Sequence, residues 1–235
     1  MDSIIQVKDI SYRYEESGQE AQLVLNGISL EIERGSFVTI VGHNGSGKST
    51  FAKHLNALFV PTQGVVLVDG FDTADEEHVF EVRKTAGMVF QNPDNQMVAT
   101  VVEEDVAFGL ENLGVPSEEI KVRVAEALEA VGMSRFAKNS PHHLSGGQKQ
   151  RVSIAGVLAM KPKIIIFDEV TAMLDPKGRQ EIMQIASHFH RELGITIINI
   201  TLNMEEALLS QRVIVLNDGK IAADETPREL FARQE

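Results

Sequence analysis

The sequence contains no cysteine and no tryptophan, and only 6% of its 235 residues are aromatic. Without cysteine the chain can form no disulfide, no thiolate metal site and no cysteine nucleophile. Apolar runs such as IIIF and VIVL are far shorter than the ~18–20 residues that a membrane-spanning helix needs. The opening residues, MDSIIQVKDI, have neither the basic nor the apolar region of a signal peptide. We therefore expect a soluble globular protein of a reducing compartment.

Positive charge is also scarce, because 22 Lys and Arg residues stand against 34 Asp and Glu residues, for a net charge of −12. An acidic surface repels phosphate backbones, which argues against broad nucleic-acid binding. The remaining composition, 43% hydrophobic and 24% charged, is that of an ordinary globular chain and excludes a disordered or fibrous protein. The length fits one large domain, or one domain with an inserted subdomain.

Hydrophobic periodicity predicts an α/β protein with a helical insert. Strands are predicted at Ile4–Ile10, Leu23–Ile32, Phe37–Val41, Val65–Val68, Gly87–Phe90, Lys163–Phe167, Ile195–Ile200, Val213–Leu216 and Lys220–Ala223. Helices are predicted at Lys48–Leu58, Glu103–Leu113, Ser117–Val131, Ser145–Met160, Lys177–Leu193 and after Pro227. Strand signals are missing between about residues 92 and 160, so we expect a helical subdomain there. Strand, helix and strand over residues 163–200 form a βαβ crossover, which implies parallel strands buried on both faces.

A phosphate-binding loop is the first chemical motif. The pattern G-x4-G-K-[ST] occurs between a predicted strand and a predicted helix, as Gly42-His43-Asn44-Gly45-Ser46-Gly47-Lys48-Ser49-Thr50. The glycines let backbone N–H groups point at a phosphate, and the helix start adds its positive dipole end. We expect Lys48 to reach the β- and γ-phosphates and the Ser49 hydroxyl to bind Mg²⁺. A flexible glycine turn would be the alternative.

Two carboxylates follow a buried strand in Lys163-Ile164-Ile165-Ile166-Phe167-Asp168-Glu169. Ligands of open parallel sheets gather at the carboxyl ends of strands. Asp168 is therefore predicted to hold the Mg²⁺ shell through water, and Glu169 to act as the general base on an attacking water. Solvated acids at an ordinary strand end are the alternative, which the neighbouring phosphate loop disfavours.

A second anion-binding helix start is predicted at Leu144-Ser145-Gly146-Gly147-Gln148. Ser145 is a good N-cap, and the two glycines leave backbone N–H groups uncovered.

These three motifs, in this order and spacing, resemble the nucleotide-binding domain of an ATP-binding cassette (ABC) ATPase over essentially the whole chain. The resemblance implies one domain over residues 1–235: a P-loop core with a mixed sheet, an antiparallel β subdomain and an α-helical insert at about 92–160. It also implies head-to-tail pairs in which ATP lies between the phosphate loop of one subunit and the LSGGQ motif of the other. The cofactors would be ATP and Mg²⁺.

The resemblance also assigns site residues. Nucleotide contacts are implied for Tyr14, which would stack on adenine, for Asn44, Gly45, Ser46, Gly47, Lys48, Ser49 and Thr50, and in trans for Ser145, Gly147 and Gln148. Mg²⁺ contacts are implied for Ser49, Gln91 and Asp168. Catalytic roles are implied for Lys48, Gln91, Glu169 and Asp175, the last in a loop that crosses the dimer interface.

One departure from the family pattern concerns position 202. The family has a histidine after the strand Thr196–Thr201, where it contacts the γ-phosphate, and this chain has Leu202. The loss of one preorganised transition-state contact typically costs about 10²–10³ in rate. We therefore expect a site that binds ATP and hydrolyses it slowly, and a degenerate site favours a heterodimer over a homodimer.

Within the ABC group, the stretches Val89–Gln96 and Val101–Gly109 are similar to the ATPases of energy-coupling factor (ECF) transporters and of cobalt and nickel importers. The Met173–Pro176 loop is similar as well, although Val170 and Ala172 replace the commoner alanine and serine. Such importers pair two ATPases with a transmembrane coupling protein and a small membrane protein that captures a vitamin or metal ion. We therefore expect a peripheral protein of the cytoplasmic membrane face. Other ABC importers or exporters, a soluble ABC protein of DNA repair or translation, and a non-catalytic regulatory module remain alternatives.

Overall fold

The structure is a computed structural model that describes residues 2–14 and 22–232. The predicted domain limits at residues 1 and 235 lie outside the described residues. The strands are β1 (Ser3–Tyr14), β2 (Gln22–Glu33), β3 (Phe37–Val41), β4 (Gln63–Val68), β5 (Phe71–Asp72), β6 (Ala86–Val89), β7 (Ile164–Asp168), β8 (Thr196–Ile200), β9 (Arg212–Asn217) and β10 (Lys220–Glu225). The helices are α1 (Lys48–His54), α2 (Val79–Thr85), α3 (Val102–Asn112), α4 (Ser117–Ala130), α5 (Gly146–Ala159), α6 (Pro176–Leu193), α7 (Met204–Ala207) and α8 (Pro227–Ala232).

Two sheets form the β framework. The smaller sheet is antiparallel in the order β2-β1-β4-β5, and the larger has the order β10-β9-β3-β8-β7-β6. The larger sheet is parallel from β9 to β6, and β10 joins it antiparallel to β9. The predicted mixed sheet and antiparallel β portion are thereby confirmed.

The core lies on both faces of the larger sheet, as the unbroken apolar run of β7 predicts. Ile165 and Phe167 pack on one face against residues of α3–α6. Ile164 and Ile166 pack on the other face against α1 and the antiparallel sheet. Every position of β7 is therefore buried, including Asp168 at its end.

The chain between β6 and β7 is helical, with α3, α4, α5 and three short 3₁₀ turns in the order of the predicted insert. Ser145 caps α5 as expected: its hydroxyl accepts from the backbone N–H of Gln148, and its own backbone N–H donates to Gln148 Oε1. The serine after Pro116 also fits an N-cap, but Ser117 is the first residue of α4 and makes no capping bond.

Some predicted boundaries and omissions need correction. Helix α1 ends at His54 and not at Leu58, because Ala57 has a left-handed φ of 55° and the Leu58 and Phe59 N–H groups both bond to the Lys53 carbonyl. Sequence reasoning missed β5, α2 and α7, which have two, seven and four residues. Such short segments carry too few turns or alternations for periodicity to reveal them. Among the described residues, no helix has both the length and the apolar character to cross a membrane.

Sheet order decides where the site lies. Strands β3, β8, β7 and β6 are successive neighbours and run in parallel. Their carboxyl ends therefore meet along one edge, the usual ligand-binding edge of such a sheet. The phosphate loop follows β3, Leu202 follows β8, Asp168 ends β7 and is followed by Glu169, and Gln91 follows β6.

Candidate nucleotide site

The phosphate loop folds around its own lysine. The buried Lys48 Nζ donates to the carbonyl oxygens of Gly42 and His43, each at 3.0 Å. Gly47 precedes α1 with φ 99°, and a Cβ there would lie 2.8 Å from Leu25 Cδ2. Glycine at this position therefore allows both the left-handed turn and the close approach of β2.

A hydrogen bond joins the first turn of α1 to the end of β7. Ser49 Oγ donates to Asp168 Oδ1 at 2.7 Å. Burial raises the pKa of Asp168, and the hydrogen bond from Ser49 opposes that shift while the charge of Glu169 adds to it. In the protein without ligands, the hydrogen bond from Ser49 and the nearby cations thus do not fully offset the burial of the Asp168 carboxylate.

Glu169 lies between the phosphate loop and the loop after β6. Its carboxylate is 3.6 Å from Lys48 Nζ and accepts a hydrogen bond of 3.4 Å from Gln91 Nε2. Its backbone has a left-handed φ of 52°, uncommon for a residue with a side chain, and its N–H donates to the Ile200 carbonyl at 2.9 Å. The backbone of β8 therefore helps to hold Glu169 in this conformation.

The loop that carries Gln91 is tied to helix α5. The buried Gln150 donates from Nε2 to the Phe90 carbonyl at 3.1 Å, and Lys149 forms an ion pair of 2.6 Å with Asp94. Sequence reasoning did not identify Gln150 or Lys149 as supports of this loop. Their signal was weak, because polar residues inside a helix usually lie at the surface.

The hydroxyl group of Tyr14 contacts helix α1. The Tyr14 hydroxyl and Thr50 Oγ1 are 3.0 Å apart in a hydrogen bond. The Tyr14 ring forms T-shaped pairs with Tyr12 and Phe59, at centroid distances of 5.1 and 5.8 Å. These contacts hold a half-buried aromatic ring beside the helix that follows the phosphate loop.

The LSGGQ residues belong to a second cleft. Ser145 and Gly147 line it together with Leu174 and Asp175, and Gln148 completes the Ser145 cap. Asp175 caps α6 by accepting a 2.9 Å hydrogen bond from the Gly178 N–H. A Cβ at Gly146 would meet no atom within 4 Å, so the start of α5 is open to a ligand or a partner chain.

The predicted site residues therefore fall into two groups. The first brings together Lys48, Ser49, Asp168, Glu169 and Gln91, with Tyr14 attached through Thr50, and Asn44, Gly45, Ser46 and Gly47 lie in the same loop. The second comprises Ser145, Gly147, Gln148 and Asp175. Within the described part of the chain, no hydrogen bond or ion pair joins the two groups.

Position 202 lies at the sheet edge, in a tightly held turn. The Thr201 N–H donates to the Ile40 carbonyl at 3.1 Å, and Thr201 Oγ1 accepts from the Asn203 N–H at 3.0 Å. The Leu202 side chain is 47% exposed. A leucine there offers no hydrogen-bond donor to a phosphate.

The first group of residues fits a magnesium ion by its donor chemistry. Mg²⁺ prefers hard oxygen ligands, and the Ser49 hydroxyl, the Asp168 carboxylate and the Gln91 amide supply them. The raised pKa of Asp168 is a second sign of fit, because a divalent cation would stabilise its ionised form.

Comparison with known proteins agrees with this geometry. A family model described as ABC transporter matches residues 25–172. The energy-coupling factor transporter ATP-binding protein EcfA1 of Clostridium novyi (strain NT) is 52% identical over 98% of this chain and 82% of the relative. The protein of that name from Symbiobacterium thermophilum is 56% identical over 97% of this chain and 81% of the relative.

Solved structures give the same result. The structure of cbiO1 from Clostridium perfringens, described as part of the ABC transporter complex cbiONQ, has a TM-score of 0.89 and 38% identity and covers all of this chain and 93% of its own. A dimer of the ATP-binding cassette MJ0796 in a post-hydrolysis state with ADP and Pi has a TM-score of 0.86, 34% identity and coverage of 95% and 99%. Fold and site together define an ATP-binding cassette. The chain belongs to the ABC transporter ATPases, and within them to the energy-coupling factor ATP-binding proteins. Its activity is ATP hydrolysis coupled to transport, with ATP and Mg²⁺ as its ligands.

Proposed function

We propose that this chain is one of two ATP-binding subunits of an ECF-type importer and couples ATP binding and hydrolysis to uptake of a vitamin or a metal ion. The similarity to EcfA1 proteins supports the class of transporter. Two groups of site residues that no hydrogen bond or ion pair joins, within the described residues, support the dimer. Each group is half of a site, and two chains in head-to-tail arrangement complete both.

The residues of the phosphate-loop half have separate tasks in this proposal. Lys48 and the loop backbone hold the β- and γ-phosphates, and Tyr14 stacks on the adenine. Ser49, Gln91 and Asp168 would hold Mg²⁺, which supplies charge neutralisation at the phosphates. Ser145, Gly147 and Gln148 of one chain contact the ATP held by the other, and Asp175 lies at the interface between them.

Glu169 is the proton acceptor of the hydrolysis step. Its carboxylate accepts a proton from water as the water oxygen bonds to the γ-phosphorus and the bond from that phosphorus to the bridging oxygen breaks. ATP and water thus become ADP and phosphate. The Gln91 contact at 3.4 Å and the Lys48 contact at 3.6 Å support this role, because both groups orient the carboxylate toward the loop.

The partners follow from the same class. We propose a second ATPase, different from this chain because Leu202 weakens its own site, together with a transmembrane coupling protein and a substrate-capturing membrane protein. The chain then lies at the cytoplasmic face of the membrane as a peripheral subunit, and it binds no nucleic acid.

Purification of the tagged chain from detergent-solubilised membranes tests this proposal, with co-purifying proteins identified by mass spectrometry. We expect a second ATPase with one larger and one small multi-span membrane protein, and Mg²⁺-dependent ATP hydrolysis that falls in the Glu169→Gln variant. A Glu205→Gln preparation is the matched control, because Glu205 is exposed and belongs to neither group of site residues. Recovery of soluble partners alone, of ribosomes or of DNA would contradict the transporter function.

A further inference from the structure

Glu206 is a buried carboxylate that takes no part in the proposed hydrolysis step. It lies in the one-turn helix α7, and only 4% of it is exposed. Thr171 Oγ1 donates to its Oε1 at 2.6 Å, and Asn199 Nδ2 donates to its Oε2 at 3.2 Å. Thr171 and Asn199 are buried as well, at 3% and 1% exposure.

The two donors belong to segments that carry site residues. Thr171 lies two residues after Glu169 and four before Asp175, in a turn closed by bonds from Ala172 N–H to the Glu169 carbonyl and from Leu174 N–H to the Thr171 carbonyl. Asn199 lies in β8, three residues before Leu202. Glu206 therefore connects the loop between Glu169 and Asp175 to the strand that leads to position 202.

The burial of the Glu206 carboxylate lowers the stability of the fold if the side chain only fills space. Among the described residues, Glu206 has no Lys, Arg or His within ion-pair distance. A buried carboxylate without a cation pays a large desolvation penalty, and an apolar side chain of similar volume would fill the space more favourably. A group retained in such a place is a candidate for holding geometry, which an apolar side chain cannot do.

The backbone conformation of Glu169 is the feature that Glu206 would stabilise. Its left-handed φ of 52° is a strained conformation, and such conformations persist when the surrounding structure constrains them. On one side, its N–H bonds to Ile200 in β8. On the other side, the turn that follows it is bound through Thr171 to Glu206, and Glu206 is bound in turn to β8 through Asn199.

We propose that Glu206 is a positioning residue which, through Thr171 and Asn199, fixes the Glu169 turn and the interface loop ending at Asp175 against strand β8. The inference rests on the proposed role of Glu169 as the proton acceptor. A shift of a catalytic group by about 1 Å can slow a reaction by on the order of 10²-fold. We call the hydrogen bonds of Glu206 to Thr171 and Asn199 the bracket. Its loss lowers the rate of ATP hydrolysis. ATP affinity stays unchanged, because contacts outside the bracket hold the phosphate loop.

Four substitutions separate the two hydrogen bonds of Glu206 from its packing. Thr171→Val keeps the shape and removes one donor. Glu206→Gln keeps both contacts, because its amide oxygen accepts from Asn199 and its N–H donates to the Thr171 hydroxyl. Glu206→Ala removes both contacts. Ser210→Ala is the matched control, because it deletes a buried hydroxyl bond of 2.7 Å to the Ala207 carbonyl next to α7 and leaves the bracket intact.

The experiment measures single-turnover ATP hydrolysis by the purified transporter complex in excess over ATP, with Glu169→Gln as the background, and ATP affinity in parallel. We expect Thr171→Val and Glu206→Ala to slow turnover by about ten-fold or more, with ATP affinity within about two-fold of wild type. Glu206→Gln and Ser210→Ala should hydrolyse ATP at close to the wild-type rate. If Glu206→Ala fails to fold, Thr171→Val decides.

Two results would overturn the inference in distinguishable ways. Wild-type turnover in Thr171→Val and Glu206→Ala, while Glu169→Gln is slow, would leave the proposed function standing and remove the role of Glu206. Equal turnover in wild type and Glu169→Gln would remove the proton-acceptor role and the inference with it.

Discussion

Ser49 Oγ donates a 2.7 Å hydrogen bond to Asp168 Oδ1, so the helix that follows the phosphate loop is joined to the last residue of strand β7. The two residues are 119 positions apart in the chain. Burial raises the pKa of the Asp168 carboxyl, so its ionised form is disfavoured. The pair thus places a hydroxyl and a carboxylate side by side, which are ligand types that Mg²⁺ prefers, and it buries a carboxylate that is costly to ionise in the nucleotide-free protein.

Asp168→Asn should stabilise the nucleotide-free protein at neutral pH. A carboxyl whose pKa is raised in the fold contributes its stability below the unfolded pKa and loses it as pH rises through the folded pKa. We expect a higher Tm for Asp168→Asn than for wild type at pH 7, and the difference should close as the pH falls below about 4, the ordinary pKa of Asp. Mg²⁺-dependent turnover of the same variant should fall by on the order of 10²-fold. The exposed Glu205→Gln variant is the control, and a Tm of Asp168→Asn below that of wild type at pH 7 would contradict the argument.

Leu202→His should accelerate hydrolysis at the site of this chain. The turn at position 202 is held by Thr201 and Asn203, and the side chain is half exposed, so a histidine fits without repacking of the core. A donor toward the γ-phosphate is worth about 10²-fold in single-turnover rate, and ATP affinity should change little. Leu202→Ala, which adds no donor, should stay at the wild-type rate. No gain in Leu202→His would show that position 202 does not limit turnover.

Tyr14→Ala should weaken ATP binding by about ten-fold, because stacking on a base contributes roughly 1–3 kcal/mol. Tyr14→Phe retains the ring and loses only the hydrogen bond to Thr50, so its affinity should stay within about three-fold of wild type. Titration calorimetry with ATP distinguishes the two. Equal losses in both variants would assign the role to the hydroxyl group and not to the ring.

Asp69→Asn should destabilise the protein, with the opposite pH dependence to Asp168→Asn. Asp69 pairs with Arg34 at 2.7 Å and with Lys163 at 2.5 Å, and so joins the antiparallel sheet to the start of β7. Burial alone would raise its pKa, but the hydrogen bonds from Arg34 and Lys163 lower it overall. A lowered pKa contributes stability above the unfolded pKa, and this stability is lost as pH falls through the folded pKa.

The expected loss for Asp69→Asn is roughly 1 kcal/mol or less at pH 7, since Arg34 and Lys163 are partly solvated. Denaturant unfolding at pH 7 and at strongly acidic pH measures it, and the two proteins should converge in acid. A difference that persists in acid would mean that Asp69 acts through its packing.

The local motifs of this chain could be derived from its sequence. The phosphate loop, the Asp168–Glu169 strand end and the LSGGQ cap each depend on residues within about ten positions of one another, and glycine, capping and strand signals act over that distance. The order of these motifs and the apolar run of β7 were enough to predict the α/β core and the family resemblance. Leu202 was visible as a departure for the same reason.

Tertiary structure alone decided which residues support the site. Thr50 meets Tyr14 across 36 positions, Gln150 meets Phe90 across 60, and Glu206 brackets Thr171 and Asn199 across 35 and seven. The asparagine in the apolar strand TIINI was a hint of a buried polar partner, since such groups need hydrogen bonds. The partner of this asparagine could not be named from the sequence. Long-range pairing depends on strand order and on how each helix packs, and the local sequence pattern contains no information on either.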